Sequence, residues 1–160
     1  MFATCLNPAD DVQVDMKKKA KDQAVKYKDL IANTPLLDLT SMASPKVPGV
    51  RILGKAEFMN PGFSHKDRMV QNVLKSAVKD GKLASGGTVV AASSGNTGAS
   101  IAMLCAMLGY KAVIITSPKC SKEKCDSIRA YGARLIISKP GQNYMDMEQE
   151  MALENPIWFA

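Results

Sequence analysis

The feature that most constrains this chain is the alternation of apolar strands and helices between residues 88 and 154. Residues 88–92 form an apolar run in which polar and apolar side chains do not alternate, which predicts a strand covered on both faces. Residues 99–108 predict an almost wholly apolar helix that ends at Gly109. The same reading predicts strands at 112–116 and 134–138 and helices at 121–131 and 143–153. This spacing is typical of βαβ units, so we expect an α/β fold with a mostly parallel sheet, right-handed crossovers and helices on both faces.

The first third of the chain gives a weaker pattern. Residues 1–15 predict a loose arm, and apolar positions on one face predict a helix over 16–31. A short extended piece is expected at 36–39, and a strand at 50–58 that leads into a tight turn.

Composition limits the classes of function. The chain has 160 residues, 46% hydrophobic and 22% charged, as expected for one globular domain. The net charge of +6 is concentrated in residues 16–28, where the lysines are joined by a single tyrosine and no arginine. A nucleic-acid surface would combine aromatics or arginine with them, so we interpret this as a solvated helix face, with a nucleic-acid-binding module as the alternative.

Other classes are disfavoured by what the sequence does not contain. No apolar run approaches the roughly 20 residues of a membrane span, and residues 1–15 do not have the pattern of a leader peptide. Four cysteines and one histidine form neither a disulfide framework nor a zinc set. We therefore expect free thiols, no metal and a cytoplasmic location.

The segment Asn60 to Arg68 is the first candidate site. Pro61 and Gly62 form a tight turn through which no helix runs, with Gly62 free to adopt a positive φ. A helix therefore begins after it, with Ser64 as the expected N-cap and Lys66 in the first turn, where the helix dipole disfavours a cation. Lys66 is either a reactive amine or an ordinary surface lysine.

The loop Ser93-Ser94-Gly95-Asn96-Thr97-Gly98 is the second candidate site. It joins the strand at 88–92 to the apolar helix, at the edge of the sheet where ligands bind. Its backbone N–H groups, hydroxyls and amide suit a carboxylate or phosphate. The alternative is a polar loop that only caps the helix. The Ser/Gly-rich stretch at 85–88 also resembles a phosphate-binding loop. It precedes the strand at 88–92, however, so we expect it at the amino edge of the sheet, on the opposite side from this site.

With these motifs the sequence resembles the pyridoxal-phosphate enzymes of the cysteine synthase and cystathionine β-synthase type, a group that includes threonine dehydratase and the tryptophan synthase β chain. The resemblance is carried by four motifs in order, at residues 33–36, 60–68, 93–98, and 121–124 with 131–133. It covers almost all of this chain, but only about the first half of a family catalytic core.

The resemblance implies roles for individual residues. Lys66 would hold pyridoxal 5'-phosphate as an internal aldimine and, once released, act as the general base. Asn96 would hydrogen-bond the ring hydroxyl of the cofactor. The substrate carboxylate would bind Ser93, Ser94, Gly95 and Thr97.

His65 is unusual for this branch. The His-Lys pair is similar to that of the tryptophan synthase β chain, in which the histidine lies near the cofactor phosphate, although the following Asp67-Arg68 argues against that branch. His65 would either contact the cofactor phosphate or simply pack.

The function implied is β-replacement on an activated serine by sulfide or a thiol to give cysteine, or a related reaction of the cystathionine β-synthase or threonine dehydratase kind. Relatives suggest a homodimer, with no nucleic acid or membrane partner. By resemblance, residues 16–58 belong to the larger domain of the family fold, 59–154 form the smaller α/β domain, and 155–160 begin the return to the larger one.

Two hypotheses follow from the length of the chain. Either it is a fragment of such an enzyme, or it is a short non-catalytic relative that acts by association with a full-length enzyme. The glycine-rich phosphate loop of the family and the later Ser or Thr that faces the pyridine nitrogen are not found in residues 1–160.

Overall fold

A parallel sheet with helices on both faces forms the centre of the structure, a computed structural model that describes residues 27–42, 48–156 and 158–160. In chain order the elements are β1 (Leu36–Asp38), β2 (Leu53–Lys55), α1 (Lys66–Lys79), β3 (Thr88–Ala92), α2 (Asn96–Leu108), β4 (Lys111–Thr116), α3 (Lys122–Ala130), β5 (Arg134–Ile137) and α4 (Tyr144–Glu154).

The three parallel strands are arranged in the order β3-β4-β5, with Val90 opposite Val113 and Ile115 opposite Ile136. Residue Phe159 runs parallel to β3 on its other side, where its carbonyl accepts the Val90 N–H at 2.8 Å. The predicted α/β class and parallel sheet are therefore confirmed.

Each face of this sheet is covered by a separate group of side chains. On one face, Val89 and Ile114 pack with buried residues of α1, α2 and α3. On the other face, Val90, Val113 and Ile115 pack against α4 and Trp158. The strand at 88–92 is therefore covered on both faces, as its unbroken apolar sequence predicts.

The element boundaries agree closely with the sequence from residue 88 onward. Gly109 ends α2 with a φ of +78°, and the side chain of Asn143 caps α4 by accepting the Met145 N–H at 3.1 Å. The apolar helix, however, begins at Asn96, three residues before the predicted start at Ala99, because polar loop residues form its first turn. Within the described ranges, no helix is long and apolar enough to cross a bilayer.

The earlier part of the chain departs further from prediction. Most of the expected 16–31 helix lies outside the described residues, and its described end is a 3₁₀ turn at Tyr27–Leu30. The extended piece at 36–39 is confirmed as β1, which pairs antiparallel with β2. Of the strand expected over 50–58, only Leu53–Lys55 is found. Residues 50–52 lie before it, and Glu57–Met59 form a 3₁₀ helix before the tight turn.

Candidate active site

The turn before α1 is held from inside by a buried asparagine. Asn60 is 1% exposed, and its side-chain oxygen accepts the Ala32 N–H at 3.0 Å. Its amide nitrogen donates to the Glu57 carboxylate at 2.7 Å and to the Ser64 carbonyl at 3.2 Å. Glu57 also forms an ion pair with Arg68 at 2.5 Å. The side chain of Asn60 thus joins residues on both sides of the turn to the segment around Ala32.

The glycine in this turn is needed for a reason other than its φ. The positive φ expected at Gly62 is found at Phe63 instead, at +57°. A Cβ on Gly62 would lie 2.4 Å from a carboxylate oxygen of Asp67. The expectation for Gly62 is therefore corrected, because this residue makes room for the carboxylate.

The start of α1 places Lys66 in the first turn, as expected. The N-cap residue is His65 and not Ser64, but the buried Ser64 hydroxyl accepts the Lys66 N–H at 3.2 Å and so satisfies one orphan donor of the helix. Lys66 is half-buried, and its ammonium has no ion-pair partner among the described residues. His65 is exposed, so it does not pack in the core.

Asp67 connects this turn to the second candidate site. It is fully buried, and its carboxylate accepts the Gly62 N–H and the hydroxyl of Ser100, each at 2.6 Å. Ser100 is also fully buried and lies in the second turn of α2, four residues after Asn96. This contact places the Lys66 end of α1 beside the beginning of α2.

Ser93 has a structural task within the 93–98 loop. Its side chain is 9% exposed, and its oxygen accepts the Gly98 N–H at 2.9 Å. The hydroxyl therefore caps α2 from outside the helix, and it keeps only its own proton to donate to a ligand. Gly98 must be small here, because a Cβ would lie 3.0 Å from Ile114 in β4.

The other polar groups of the loop are open to a ligand. Ser94 and Asn96 are exposed, whereas Gly95 and Thr97 are half-buried. Among the described residues, no partner is found for the side chains of Ser94, Asn96 and Thr97 or for the N–H groups of Asn96 and Thr97. Unpaired N–H groups at the positive end of a helix form a site for an anion.

A cavity of about 640 Å³ opens next to this loop, at the carboxyl ends of β4 and β5. Ser94 lies on one side of it, and Lys119 and Lys139 contribute positive charge. The buried Ser138 hydroxyl at its edge has no hydrogen-bond partner within the part of the chain that the structure describes. None of the described residues that line the cavity is acidic, so its charge suits an anionic group of a small molecule.

Sequence reasoning missed the buried polar residues that hold the two segments together. Asp67 and Ser100 carry the contact between α1 and α2, and Asn60 holds the turn. An aspartate in the first turn of a helix could have been singled out from the sequence, since its negative charge interacts favourably with the helix dipole. Its partner on α2, Ser100, could not be identified from the sequence, because a single serine in an apolar helix does not indicate which residue it contacts. In the described ranges no group of three or more metal-ligating side chains occurs.

Comparison with known proteins gives one family and several relatives. A family model for "Pyridoxal-phosphate dependent enzyme" matches residues 27–159. Cysteine synthase 1 of Neurospora crassa is 40% identical over an alignment of 147 positions, which covers 88% of this chain and 39% of the relative. Cysteine synthase B of Campylobacter jejuni is 35% identical over 84% of this chain and 44% of its own length. The chain thus spans about two fifths of the length of these two relatives.

Solved structures show the same correspondence in three dimensions. An O-ureido-L-serine synthase superposes with a TM-score of 0.77 at 33% identity, over 85% of this chain and 43% of its own. An O-acetylserine dependent cystathionine β-synthase from Helicobacter pylori superposes with a TM-score of 0.78 at 29% identity, over 85% of this chain and 45% of its own. The overall fold is therefore shared with enzymes whose names refer to serine derivatives.

Proposed function

The chain belongs to the family of pyridoxal-phosphate dependent enzymes, and from that premise we propose that it carries the cofactor-binding lysine and the substrate-carboxylate loop of a cysteine synthase-like enzyme. The reaction proposed is replacement of the β-substituent of an activated serine by sulfide. The Asp67–Ser100 contact supports the proposal, because it joins the residue after Lys66 to α2, whose first turn includes the end of the 93–98 loop.

The surroundings of Lys66 fit a lysine that bonds covalently to a carbonyl group. It is the first residue of α1, where the helix dipole disfavours an ammonium. The neighbouring cation Arg68 is paired with Glu57, whereas Lys66 has no ion-pair partner within the described ranges. A half-buried lysine without a counter-ion at this place is better suited to act as a nucleophile than as a structural charge.

The loop fits the carboxylate of an amino acid. Ser94, Gly95 and Thr97 surround the unpaired N–H groups at the start of α2, and they form the carboxylate site that we propose. Asn96, exposed in the same turn, would hydrogen-bond the ring hydroxyl of the cofactor. Ser93 belongs to the same proposed carboxylate site, since its oxygen accepts the Gly98 N–H and its hydroxyl proton remains to be donated to the carboxylate.

These placements suggest a division of labour during the reaction. The cofactor, when bound, supplies the electron sink that makes the α-proton of the substrate acidic. The loop fixes the carboxylate and with it the direction of the α-carbon. Lys66, once its amine is free, takes the α-proton as general base and returns it at the end. The exposed His65 is free to contact the cofactor phosphate.

The cationic cavity beside Ser94 suits the carboxylate of a small amino-acid substrate. The names of similar proteins refer to cysteine, O-acetylserine and O-ureido-L-serine, which are all of this size. A homodimer, as its relatives suggest, is a further part of the proposal.

The proposal is tested by absorbance of the purified chain with added pyridoxal phosphate. A lysine-bound cofactor absorbs in the visible, so we expect a band in the parent and none in Lys66→Ala. Lys79→Ala is the matched control, because Lys79 is an exposed lysine at the other end of the same helix. Reduction with borohydride and peptide mapping should then place the adduct on Lys66. No band in the parent, or an adduct on another lysine, would contradict the proposal.

A further inference from the structure

Two cysteines occupy a paired position at the start of α3. The N-cap of this helix is Ser121, whose side-chain oxygen accepts the Lys124 N–H at 3.5 Å. Cys120 directly precedes the N-cap, and Cys125 is the fourth helical residue. These are the two positions whose side chains contact each other in a hydrophobic staple. In this chain the staple consists of two thiols.

The local backbone brings the two thiols together. The Cys120 N–H donates to the Ser117 carbonyl at 3.1 Å and closes the turn that precedes the helix. The Cys125 N–H donates to the Ser121 carbonyl at 3.1 Å, which fixes the first helical turn. Burial, together with the neighbouring Cys120 thiol, raises the pKa of Cys125. Both thiols are free, with Cys125 buried and Cys120 half-buried.

We propose that Cys120 and Cys125 are a reversible dithiol–disulfide pair that exchanges with low-molecular-weight disulfides such as glutathione disulfide. This site is independent of the cofactor chemistry proposed above. It is also independent of Cys105, which is fully buried in α2.

The exchange proceeds in two balanced steps. The Cys120 thiolate attacks one sulfur of glutathione disulfide, forms a mixed disulfide and releases one glutathione thiolate. The Cys125 thiolate then attacks the Cys120 sulfur, which forms the intramolecular bond and releases the second glutathione thiolate. Two electrons pass from the protein to glutathione, and the two thiol protons go to solvent and the leaving thiolates.

The order of the steps follows from exposure. Cys120 is the more accessible thiol, so it is the attacking residue. Cys125 is the resolving residue, and its raised pKa makes the second step slower at neutral pH than in mild alkali. Once formed, the disulfide ties Cys120, which directly follows the cavity-lining residues 117–119, to the fourth residue of α3.

The sequence allows a direct assay of the linkage. Trypsin cleaves after Lys119, Lys122, Lys124 and Arg129, so Cys120 and Cys125 end in separate peptides, 120–122 and 125–129. The chain, with Cys5→Ser to remove the cysteine outside the described residues, is incubated with glutathione disulfide, alkylated and digested under non-reducing conditions. We expect the two peptides to be recovered joined, with the intact protein about 2 Da lighter.

Variants distinguish this proposal from general thiol oxidation. Cys125→Ser should stop the reaction at the mixed disulfide of Cys120, and Cys120→Ser should leave Cys125 reduced. Circular dichroism of each variant verifies that the fold is kept. Cys105 serves as the internal control and should be alkylated only after unfolding.

Three results would overturn the proposal. Recovery of Cys120 only as a glutathione adduct in the parent would mean that the two cysteines cannot form a disulfide, which needs Cα atoms less than about 7 Å apart. Joining of Cys120 or Cys125 to Cys105 would identify a different pair. Oxidation of Cys125 in Cys120→Ser at the parental rate would show that the two thiols do not act together.

Discussion

The buried contact between Asp67 and Ser100 gives the strongest test of how the candidate site is held. The Asp67 carboxylate is fully buried, and it accepts the Gly62 N–H and the Ser100 hydroxyl at 2.6 Å each. We consider Ser100→Ala, Asp67→Asn and the double variant. Ser76→Ala is the matched control, because Ser76 is an exposed serine within α1.

The magnitude follows from the charge on the acceptor. A hydrogen bond to a charged group contributes about 1.5–3 kcal/mol, so Ser100→Ala should lower the free energy of unfolding by about 2 kcal/mol. Asp67→Asn keeps the shape but removes the negative charge from the helix N-terminus, which contributes up to about 1 kcal/mol more. We therefore expect a loss of about 2–3 kcal/mol for Asp67→Asn. Because the two residues share one bond, the double variant should lose about 1–2 kcal/mol less than the sum.

Urea unfolding followed by circular dichroism measures these differences from the shift of the midpoint at constant slope. Ser76→Ala should change the free energy by less than about 0.5 kcal/mol. The reasoning is refuted if Ser100→Ala behaves like Ser76→Ala, or if the effects of the two substitutions simply add. Either result would mean that the contact between the two helices does not hold Lys66 and the 93–98 loop together.

Three further predictions concern other parts of the fold. Gly98→Ala should lower the free energy of unfolding by about 1–3 kcal/mol in urea, because the new Cβ would lie 3.0 Å from Ile114. Gly95→Ala meets nothing within 4 Å, so it should cost no more than about 1 kcal/mol, the preference for glycine over alanine at the N-cap of α2. Ser121→Ala removes the cap of α3 and should cost about 0.5–2 kcal/mol in the same assay. Burial raises the pKa of Cys105 from 9.0 to about 12, so the folded state keeps this thiol neutral where the unfolded state ionises. Its contribution to stability is therefore complete below pH 9.0 and is lost as pH rises toward 12, and Cys105→Ala should flatten that part of the pH profile.

The regular half of the fold could be predicted because its signals are local. An unbroken apolar run such as residues 88–92 has few stable placements besides a strand covered on both faces. Gly109 and Asn143 mark helix ends through their own conformational preferences, and both do so in the structure. Lys66 and the 93–98 loop could also be singled out from the sequence, since each lies directly after a predicted strand or turn.

The remaining features depend on contacts between segments distant in sequence, which local signals do not contain. Gly62 was expected to supply a positive φ, yet its role is set by the Asp67 carboxylate, and Phe63 takes the positive φ. The strand expected over 50–58 ends at Lys55, because the following residues form a turn in which the side chain of the buried Asn60 donates to the Glu57 carbonyl. Nothing in the sequence indicated that the Ser93 oxygen also caps α2, because its partner, the Gly98 N–H, lies five residues further along the chain.

The two candidate segments share one arrangement, in which a buried polar residue stands next to an open one. Asp67 is fully buried and hydrogen-bonded, and the residue before it, Lys66, has no ion-pair partner in the described part of the chain. Ser93 is buried and caps α2, and the residue after it, Ser94, is exposed. Successive side chains on a helix or turn point in different directions, so fixing the inner residue also fixes the direction of its neighbour. The buried residues therefore give the exposed or half-buried ones a defined position without using their reactive groups, which suits the binding of a cofactor and a carboxylate that we propose for this site.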